Sequence, residues 1–291
     1  MIGGRVAVLA ALAAALLSAC TSSAPHDGPD STRAPTKIIP APADVVAGTA
    51  PQLNGNLWVL AGPVGDRTLH QLDLTTDKFG PAVPAAASAT SLTESNSTLL
   101  GLGLATVSTG AVQFLNGSNG ALVSTVALAA PVRAVTAGSD GSTFFALEGT
   151  TTSSSVAAIS SIASTVKGTL PVPLDTVSIA VAPDQQRIYA LESDGNVDII
   201  SGFGQVISRF SVGRNPEALA LSGDGATMYV LKNGRGAAEN VGVFNVSLES
   251  QTKVLPAPSD TNDIAISSDG ATLYAFVGTS TVGNVQLFAT G

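Results

Sequence analysis

From Lys37 to the end of the chain, apolar and polar positions alternate in short runs of about six residues, separated by Gly, Asp, Asn and Ser. Such alternation between turn residues is typical of β-strands with one buried face, and there is little helical periodicity. The runs recur as a unit, whose clearest copies begin at Ser178, Glu217 and Asp263. Each copy contains an apolar strand, a tight turn, a strand with an aromatic residue, a loop and a Val-centred strand. The pattern predicts an all-β fold built from a repeat.

The turn between the first two strands of each unit measures the repeat. It falls at Asn54-Gly55, Asn96, Asp140-Gly141, Asp184, Asp224-Gly225 and Asp269-Gly270, with spacings of 42, 44, 44, 40 and 45 residues. Asp-Gly and Asn-Gly suit tight turns that need positive φ, so we interpret these acids as turn residues and not as catalytic ones. A repeat of this length with four strands indicates a β-propeller. Six turns predict six four-stranded antiparallel blades.

The last unit ends after its third strand, and the start of the domain supplies a candidate for the missing one. The segment Lys37–Asp44 repeats Lys253–Asp260, which spans the outer strand of the fifth unit and the link that follows it. We therefore predict that an N-terminal strand closes the ring, which leaves no long sheet edge open. The other outer strands are predicted at Gly80–Ala86, Leu122–Ala129, Val166–Val172, Gln205–Val212 and Thr252–Ala257.

The first twenty residues have the features of an export signal. Arg5 precedes the apolar run Val6–Leu17, which is too short to span a membrane and ends in small residues. Leu17-Ser18-Ala19-Cys20 resembles the bacterial lipobox, which implies that Cys20 is acylated and becomes the new N-terminus. A conventionally cleaved peptide with an incidental Cys is the alternative. We predict a signal peptide at 1–19, an acylated Cys with a disordered tether rich in Pro, Ser and Thr at 20–36, and the propeller at 37–291.

Composition removes several classes of function. Only 12% of the residues are charged, the net charge is −8 and the pI is about 4.6, so a nucleic-acid partner is excluded. The single Cys cannot form an internal disulfide. Of the two His residues, His26 lies in the tether and His70 lies within a predicted strand, which leaves little for a His-based metal site or a catalytic triad.

The segment Asn215–Val230 reads NPEALALSGDGATMYV and resembles the YVTN-type repeat of bacterial surface and periplasmic propellers. It is also similar to the NHL and lactonase-like propeller groups. The resemblance covers nearly all of residues 37–291, and it is strongest in the last three units. It implies the fold but not a function, because propellers carry many functions. The Ala, Gly, Thr, Val and Ser content resembles that of exported actinobacterial lipoproteins.

In a propeller, the links from outer to inner strands and the loops between second and third strands share the face at the mouth of the central channel. The candidate ligand-binding residues at this mouth are Asp44, Arg133, Asp175, Glu217, Asn262 and Asp263. Four acids opposed by one Arg suit a cation or a cationic ligand. The alternative is that these side chains cap strand ends and bind water. The rim loops are predicted at Gly62–Arg67, Thr150–Ser155, Lys232–Asn240 and Thr279–Gly283.

Together these features predict a membrane-anchored lipoprotein, lipid-anchored through Cys20 and facing outside the cytoplasm. Its propeller is expected to bind a protein, an envelope polymer or a small ligand. The alternative is a metal-dependent lactonase or hydrolase in which Glu217, Asn262 and Asp263 hold a divalent cation. A structural accessory of a larger envelope complex is a third option. No cofactor is predicted, and the sequence favours binding over catalysis because no catalytic motif appears.

Overall fold

A computed structural model describes residues 34–51, 55–96, 99–232 and 240–291. The predicted signal peptide, Cys20 and most of the predicted tether lie outside the described residues. The first described strand, β1 (Lys37–Ala41), is followed by six groups of strands. Within the described part of the chain, we find no helix with the length and apolar character needed to cross a bilayer.

Five sheets follow one another along the chain as blades one to five. Blade one contains β2 (Ala47–Gly48), β3 (Asn56–Ala61), β4 (Thr68–Asp73), β5 (Lys78–Phe79) and β6 (Val83–Pro84). Blade two contains β7 (Ala89–Glu94), β8 (Leu99–Ala105), β9 (Gly110–Asn116) and β10 (Leu122–Leu128). Blade three contains β11 (Val132–Ala137), β12 (Thr143–Gly149), β13 (Ser154–Ser160) and β14 (Thr165–Pro171).

Blade four contains β15 (Thr176–Val181), β16 (Arg187–Glu192), β17 (Asn196–Ser201) and β18 (Val206–Ser211). Blade five contains β19 (Pro216–Leu221), β20 (Thr227–Lys232), β21 (Asn240–Asn245) and β22 (Ser250–Pro256). Blade six contains β23 (Thr261–Ile266), β24 (Thr272–Gly278) and β25 (Gly283–Ala289), with β1 as its outer strand. The inner strands β2, β7, β11, β15, β19 and β23 contact one another in cyclic order. The prediction of a six-bladed β-propeller with antiparallel blades is confirmed.

The N-terminal strand closes the ring as predicted. Strand β1 pairs antiparallel with β25, from Lys37 opposite Leu287 to Ala41 opposite Gly283. Ile39 is 2% exposed and packs in a core cluster with Phe276, a residue of the same blade. A side chain at Gly283 would collide with the backbone of Pro42, so this position needs glycine where the chain returns to the mouth.

Blade one differs from the prediction in its outer strand. In place of one strand over 80–86, two short segments, β5 and β6, both pair with β4. Pro81 lies between the two segments and explains the interruption, because proline has no N–H to donate to the sheet ladder. The continuous outer strand predicted there is therefore wrong.

Large side chains fill the spaces between blades. The ten Trp, Tyr and Phe residues at the second and third strands of the repeat are all buried; they are Trp58, Phe114, Phe144, Phe145, Tyr189, Tyr229, Phe244, Tyr274, Phe276 and Phe288. Phe114 of blade two and Phe144 of blade three pack edge to face, with ring centroids 4.8 Å apart. Trp58 donates its indole N–H to the carbonyl of Gly117 on the next blade at 2.8 Å. These rings pack between blades, as predicted.

The acids of the repeat turns hold the turns together. Asp140 accepts hydrogen bonds from the backbone N–H groups of Ser142 and Thr143 at 2.9 and 2.7 Å. Asp224 and Asp269 each accept one from the residue two positions later, both at 2.9 Å. Hydrogen bonds from the side-chain hydroxyls of Thr143, Ser222 and Ser267, together with these backbone bonds, lower the pKa values of Asp140, Asp224 and Asp269, although burial acts in the opposite direction. Their interpretation as turn residues is confirmed, while Asn54 lies outside the described residues.

Candidate functional site

A repeated irregularity builds the mouth of the central channel. In blades two to six the pairing of the inner strand shifts by one residue near its start, so that one residue bulges out of the ladder. A β-bulge redirects the side chain that it carries. The bulged residues, with Val46 at the corresponding place in blade one, form what we call the mouth ring: Val46, Thr90, Arg133, Val177, Glu217 and Asn262. All six line a central channel of about 410 Å³.

Three polar members of the mouth ring tie neighbouring blades together. The Arg133 guanidinium donates to the carbonyls of Thr150, Leu174 and Thr176 at 2.9–3.3 Å, which joins blades three and four. Thr90 donates from its hydroxyl to the carbonyl of Val132 at 3.0 Å. These side chains therefore have a structural role at the mouth, and the charge of Arg133 is held beside the link between two blades.

Asn262 makes the equivalent connection between the last blade and the first. Its side-chain N–H group donates to the carbonyl of Val45 in the link into blade one at 2.6 Å and to that of Gly278 at 2.9 Å. The bond to Val45 joins blade six to the link into blade one. Asn262 thus supports the closure made by β1, and it does so from the mouth side.

Asp263 brings a carboxylate into the channel wall directly below the mouth ring. The corresponding residues of the other five blades are all small and also line the channel: Ala47, Ser91, Ala134, Ser178 and Ala218. The Asp263 carboxylate accepts hydrogen bonds from the backbone N–H groups of Gly48 at 3.2 Å and Ile264 at 2.8 Å. Its pKa is nevertheless raised to about 7, because burial in the channel wall penalises the charged form more than these two bonds favour it.

Glu217 is the acidic member of the mouth ring. It belongs to blade five, next to the blade that carries Asp263, and its side chain is exposed at the mouth. The mouth end of the channel thus has two carboxyl groups on the adjacent blades five and six, and a guanidinium group, that of Arg133, on blade three.

Glu94 is a channel residue that the sequence interpretation missed. It ends β7, is 8% exposed, and accepts a hydrogen bond from the Thr49 hydroxyl at 3.2 Å. Burial raises its pKa to about 7, despite that bond. A signal was present in the repeat, because the corresponding residues in blades three to six are apolar: Ala137, Val181, Leu221 and Ile266. The acidic residue at this position, which is apolar in blades three to six, distinguishes blade two from those blades.

Asp44 lies outside the channel wall. It lines a second cavity, of about 310 Å³, together with Asn262 and Arg67. The Arg67 guanidinium donates to the carbonyl of Gly62. Burial lowers the pKa of Arg67, while the nearby Asp44 carboxylate acts against that shift. Asp44 thus faces the boundary between blades one and six and not the ring of the other acids.

Asp175 belongs to a third location, on the mouth face of blade four. Its carboxylate lies with those of Glu192 and Asp194, and one oxygen from each is within 4.8 Å of the others. Among the described residues, this is the one group of three acids close enough to share a metal ion. Arg209 already pairs with Glu192 at 2.5 Å and with the neighbouring Asp198 at 2.6 Å. Burial and the surrounding acids raise the pKa of Glu192, against the effect of Arg209.

The six predicted site residues therefore fall into three places. Arg133, Glu217, Asn262 and Asp263 line the channel, and Asn262 also borders the second cavity. Asp44 lies in that second cavity, and Asp175 joins the acids of blade four. Of the predicted rim loops, most of 232–240 lies outside the described residues.

Comparisons with known proteins agree with the fold and go no further. No protein-family model and no curated protein matches the chain. Among solved structures, the chain is similar to hydrazine synthase from Kuenenia stuttgartiensis, with a TM-score of 0.61 and 15% identity. The match covers 84% of this chain and 76% of that one. At this identity the likeness supports a shared propeller architecture alone.

Proposed function

We propose that this protein is a membrane-anchored extracytoplasmic lipoprotein with a propeller of the YVTN type, which binds a cationic group at its channel mouth. The group belongs to a small amine or to a basic side chain of a protein or envelope-polymer partner. The observation that carries the proposal is the presence of two carboxyl groups, those of Glu217 and Asp263, on adjacent blades of a channel whose other charged lining residues are Arg133 on blade three and Glu94 on blade two. Cys20 in its lipobox-like context supports the anchor.

The dimensions of the channel suit this role. A volume of about 410 Å³ lies within the usual range of small-ligand sites, which runs from roughly 300 to 1,000 Å³. A carboxylate held in a partly dehydrated wall forms strong charge-assisted hydrogen bonds with an ammonium or guanidinium group. The backbone N–H groups of Gly48 and Ile264 fix the Asp263 carboxylate, so little side-chain freedom is lost when a ligand binds.

The hydrolase alternative has less support from the geometry. A catalytic divalent ion at the mouth would use the carboxylates of Glu217 and Asp263 with the side-chain oxygen of Asn262, whose N–H group donates to two carbonyls. Within the described residues, the one group of three acids close enough to share a metal ion lies on blade four and includes neither Glu217 nor Asp263. Binding is therefore the function that we propose.

The anchor is tested by replacing Cys20 with Ser in the full chain, expressed in a bacterium that acylates lipoproteins. We expect the wild-type N-terminal peptide to carry the mass of its acyl chains and the protein to sediment with membranes. The C20S chain should lose both properties. A Ser22→Ala variant, two residues away, is the control and should behave as wild type. Membrane association of the C20S chain equal to that of wild type would remove the anchor from the proposal.

The mouth is tested with a series of alkyl diamines measured by isothermal titration calorimetry. We expect at least one diamine to bind, and its uncharged diol analogue to bind at least about tenfold more weakly, a difference of about 1.4 kcal/mol. Glu217→Gln and Asp263→Asn should each weaken binding by a similar factor. Glu249→Gln removes the same charge from a surface turn of blade five and serves as the matched control. Equal binding of diamine and diol, or loss of binding in E249Q alone, contradicts the proposal.

A further inference from the structure

The path of β1 fixes where the chain leaves the propeller. Because β1 runs antiparallel to β25, it begins near Leu287 and ends at the mouth, where Ala41 lies opposite Gly283. The backbone N–H of Thr36 donates to the Leu287 carbonyl at 2.7 Å. The chain before Thr36 therefore emerges from the face opposite the mouth, at the place where every other blade has the turn between its third and outer strands.

An ion pair supports this assignment of the exit. The Lys37 ammonium lies 2.5 Å from a carboxylate oxygen of Asp77, which belongs to the turn between β4 and β5 in blade one. The first residue of β1 is thus adjacent to the third-to-outer turn of the next blade. We call the face that carries these turns and the exit of the chain the exit face.

Three consecutive blades place large apolar side chains at the tips of these turns. Ile162 in blade three, Phe203 in blade four and Leu248 in blade five are 84%, 91% and 70% exposed. We call these three residues the apolar tips. The equivalent turns of blades one and two carry Thr75, Thr76, Ser118 and Asn119. The mouth-side loops of blades six, one and two also expose apolar residues, Val282, Val64 and Val107, but these are smaller than Ile, Phe and Leu. The apolar tips are therefore distinguished by their size and by lying on the face from which the chain leaves the propeller.

We propose that the apolar tips insert into the surface of the membrane that holds the lipid anchor. This inference rests on the proposed acylation of Cys20. Residues 20–36 number 17 and span at most about 60 Å when fully extended, so the exit face stays within reach of the bilayer. The anchor holds the exit face near the lipid surface at high effective concentration, and three apolar side chains then add to its affinity. The channel mouth consequently points away from the membrane, towards ligands outside.

The charges on the exit face indicate which lipids it accepts. The repeat turns place Asp140, Asp184, Asp224 and Asp269 on this side of the propeller, with Arg187 as a neighbouring base. An acidic face is repelled by anionic headgroups, whose attraction is for basic segments. The tips should therefore insert into zwitterionic lipid more readily than into anionic lipid.

The opposite face offers matched controls. Val64 and Val107, in the loops between second and third strands of blades one and two, are 82% and 102% exposed. They are as accessible as the apolar tips, but they surround the mouth. A probe at these positions reports exposure to water under the same tethering and differs only in the face on which it lies.

The test places one cysteine at Phe203 or Ile162, or at Val64 or Val107, and labels it with the fluorophore NBD. Each lipidated full-length chain is reconstituted into phosphatidylcholine vesicles with and without doxyl-labelled lipid. We expect F203C and I162C probes to shift to shorter emission wavelengths and to be quenched by the doxyl lipid, and the V64C and V107C probes to do neither. Adding phosphatidylglycerol should reduce the shift.

A second version of the experiment tests the insertion of the apolar tips independently of the acylation of Cys20. The Cys20→Ser chain, with a His tag placed N-terminal to the tether, is attached to vesicles that contain a nickel-chelating lipid. The same blue shift and quenching at Phe203 and Ile162 are expected, whether or not the native chain is acylated. Water-like emission at both positions in both arms overturns the inference, and so does equal quenching on the two faces. A tip surface built for a protein partner gives that water-like result.

Discussion

Deletion of residues 37–43 will lower the melting temperature of the protein by roughly 10 °C or more, because it removes the strand that closes the propeller. The deletion leaves β25 as an open sheet edge and exposes the core around Phe276. Truncation of one buried Ile alone costs about 2–5 kcal/mol, and each kcal/mol lowers the melting temperature of a domain of this size by about 2–4 °C. Thermal unfolding followed by circular dichroism measures the change.

Two controls separate ring closure from a general effect of truncation. Deletion of seven residues within the predicted tether, 22–28, should leave the melting temperature unchanged. Ile39→Ala should reproduce a large part of the loss, whereas Ile38→Ala should not, because Ile38 is 55% exposed and Ile39 is 2% exposed. An unchanged melting temperature after deletion of 37–43 would mean that β1 does not stabilise the ring.

The stability of the folded protein will fall as the pH rises from about 4 to above about 7. Asp263 and Glu94 each have a folded pKa raised to about 7, mainly by burial, whereas the unfolded values are near 4. Between these values the folded state binds more protons than the unfolded state, so raising the pH favours unfolding. Three pKa units correspond to an upper limit of about 4 kcal/mol for each carboxyl.

The acids of the turns determine how the stability of the protein changes at low pH. The Thr75 and Thr76 side chains and backbone hold the pKa of Asp73 at about 2, and the turn hydrogen bonds lower those of Asp140, Asp224 and Asp269. Groups with lowered pKa values stabilise the fold above pH 4 and lose that contribution on acidification. Stability is therefore expected to be greatest near pH 4 and to fall on both sides of it.

Urea unfolding at several pH values measures this profile. The Asp263→Asn chain should show a smaller loss of unfolding free energy between about pH 5 and 8 than wild type, and adding Glu94→Gln should flatten the profile further. The slope is the relevant quantity, because an amide cannot accept both backbone hydrogen bonds that the carboxylate accepts. Glu249→Gln, with the same change of charge on a surface turn, should keep the wild-type slope. Equal slopes in wild type and D263N would contradict the assignment of a buried carboxyl in the channel.

The sequence predicted what each repeat determines locally. Alternation within strands, Asp-Gly turns and the similarity of Lys37–Asp44 to Lys253–Asp260 were enough for blade number, strand direction and ring closure. Each of these signals lies within one unit or in the comparison of two units. Pro81 is the sequence signal of the interrupted outer strand of blade one, where a continuous strand was predicted.

The site was predicted less well, because its geometry depends on contacts between blades. The β-bulge at Arg133 directs its guanidinium to the carbonyl of Thr176 on blade four. Such a bulge is a feature of strand pairing that residue types do not reveal. Asp175 meets Glu192 and Asp194 only because a link and a loop approach each other at the mouth face. An alignment of the repeats would have identified Glu94 as a polar residue at a position that is apolar in the other blades.

Proton release on binding tests the proposed cationic site most directly. Titration of wild-type protein with the bound diamine at about pH 6.5, in buffers of different ionisation enthalpy, counts the protons exchanged, because Asp263 is mostly protonated below its pKa of about 7 and must ionise to hold the cation. We predict that wild type releases a substantial fraction of one proton on binding, and that Asp263→Asn binds more weakly and releases less. Binding without proton release, unchanged in D263N, would contradict a cation site at this carboxylate.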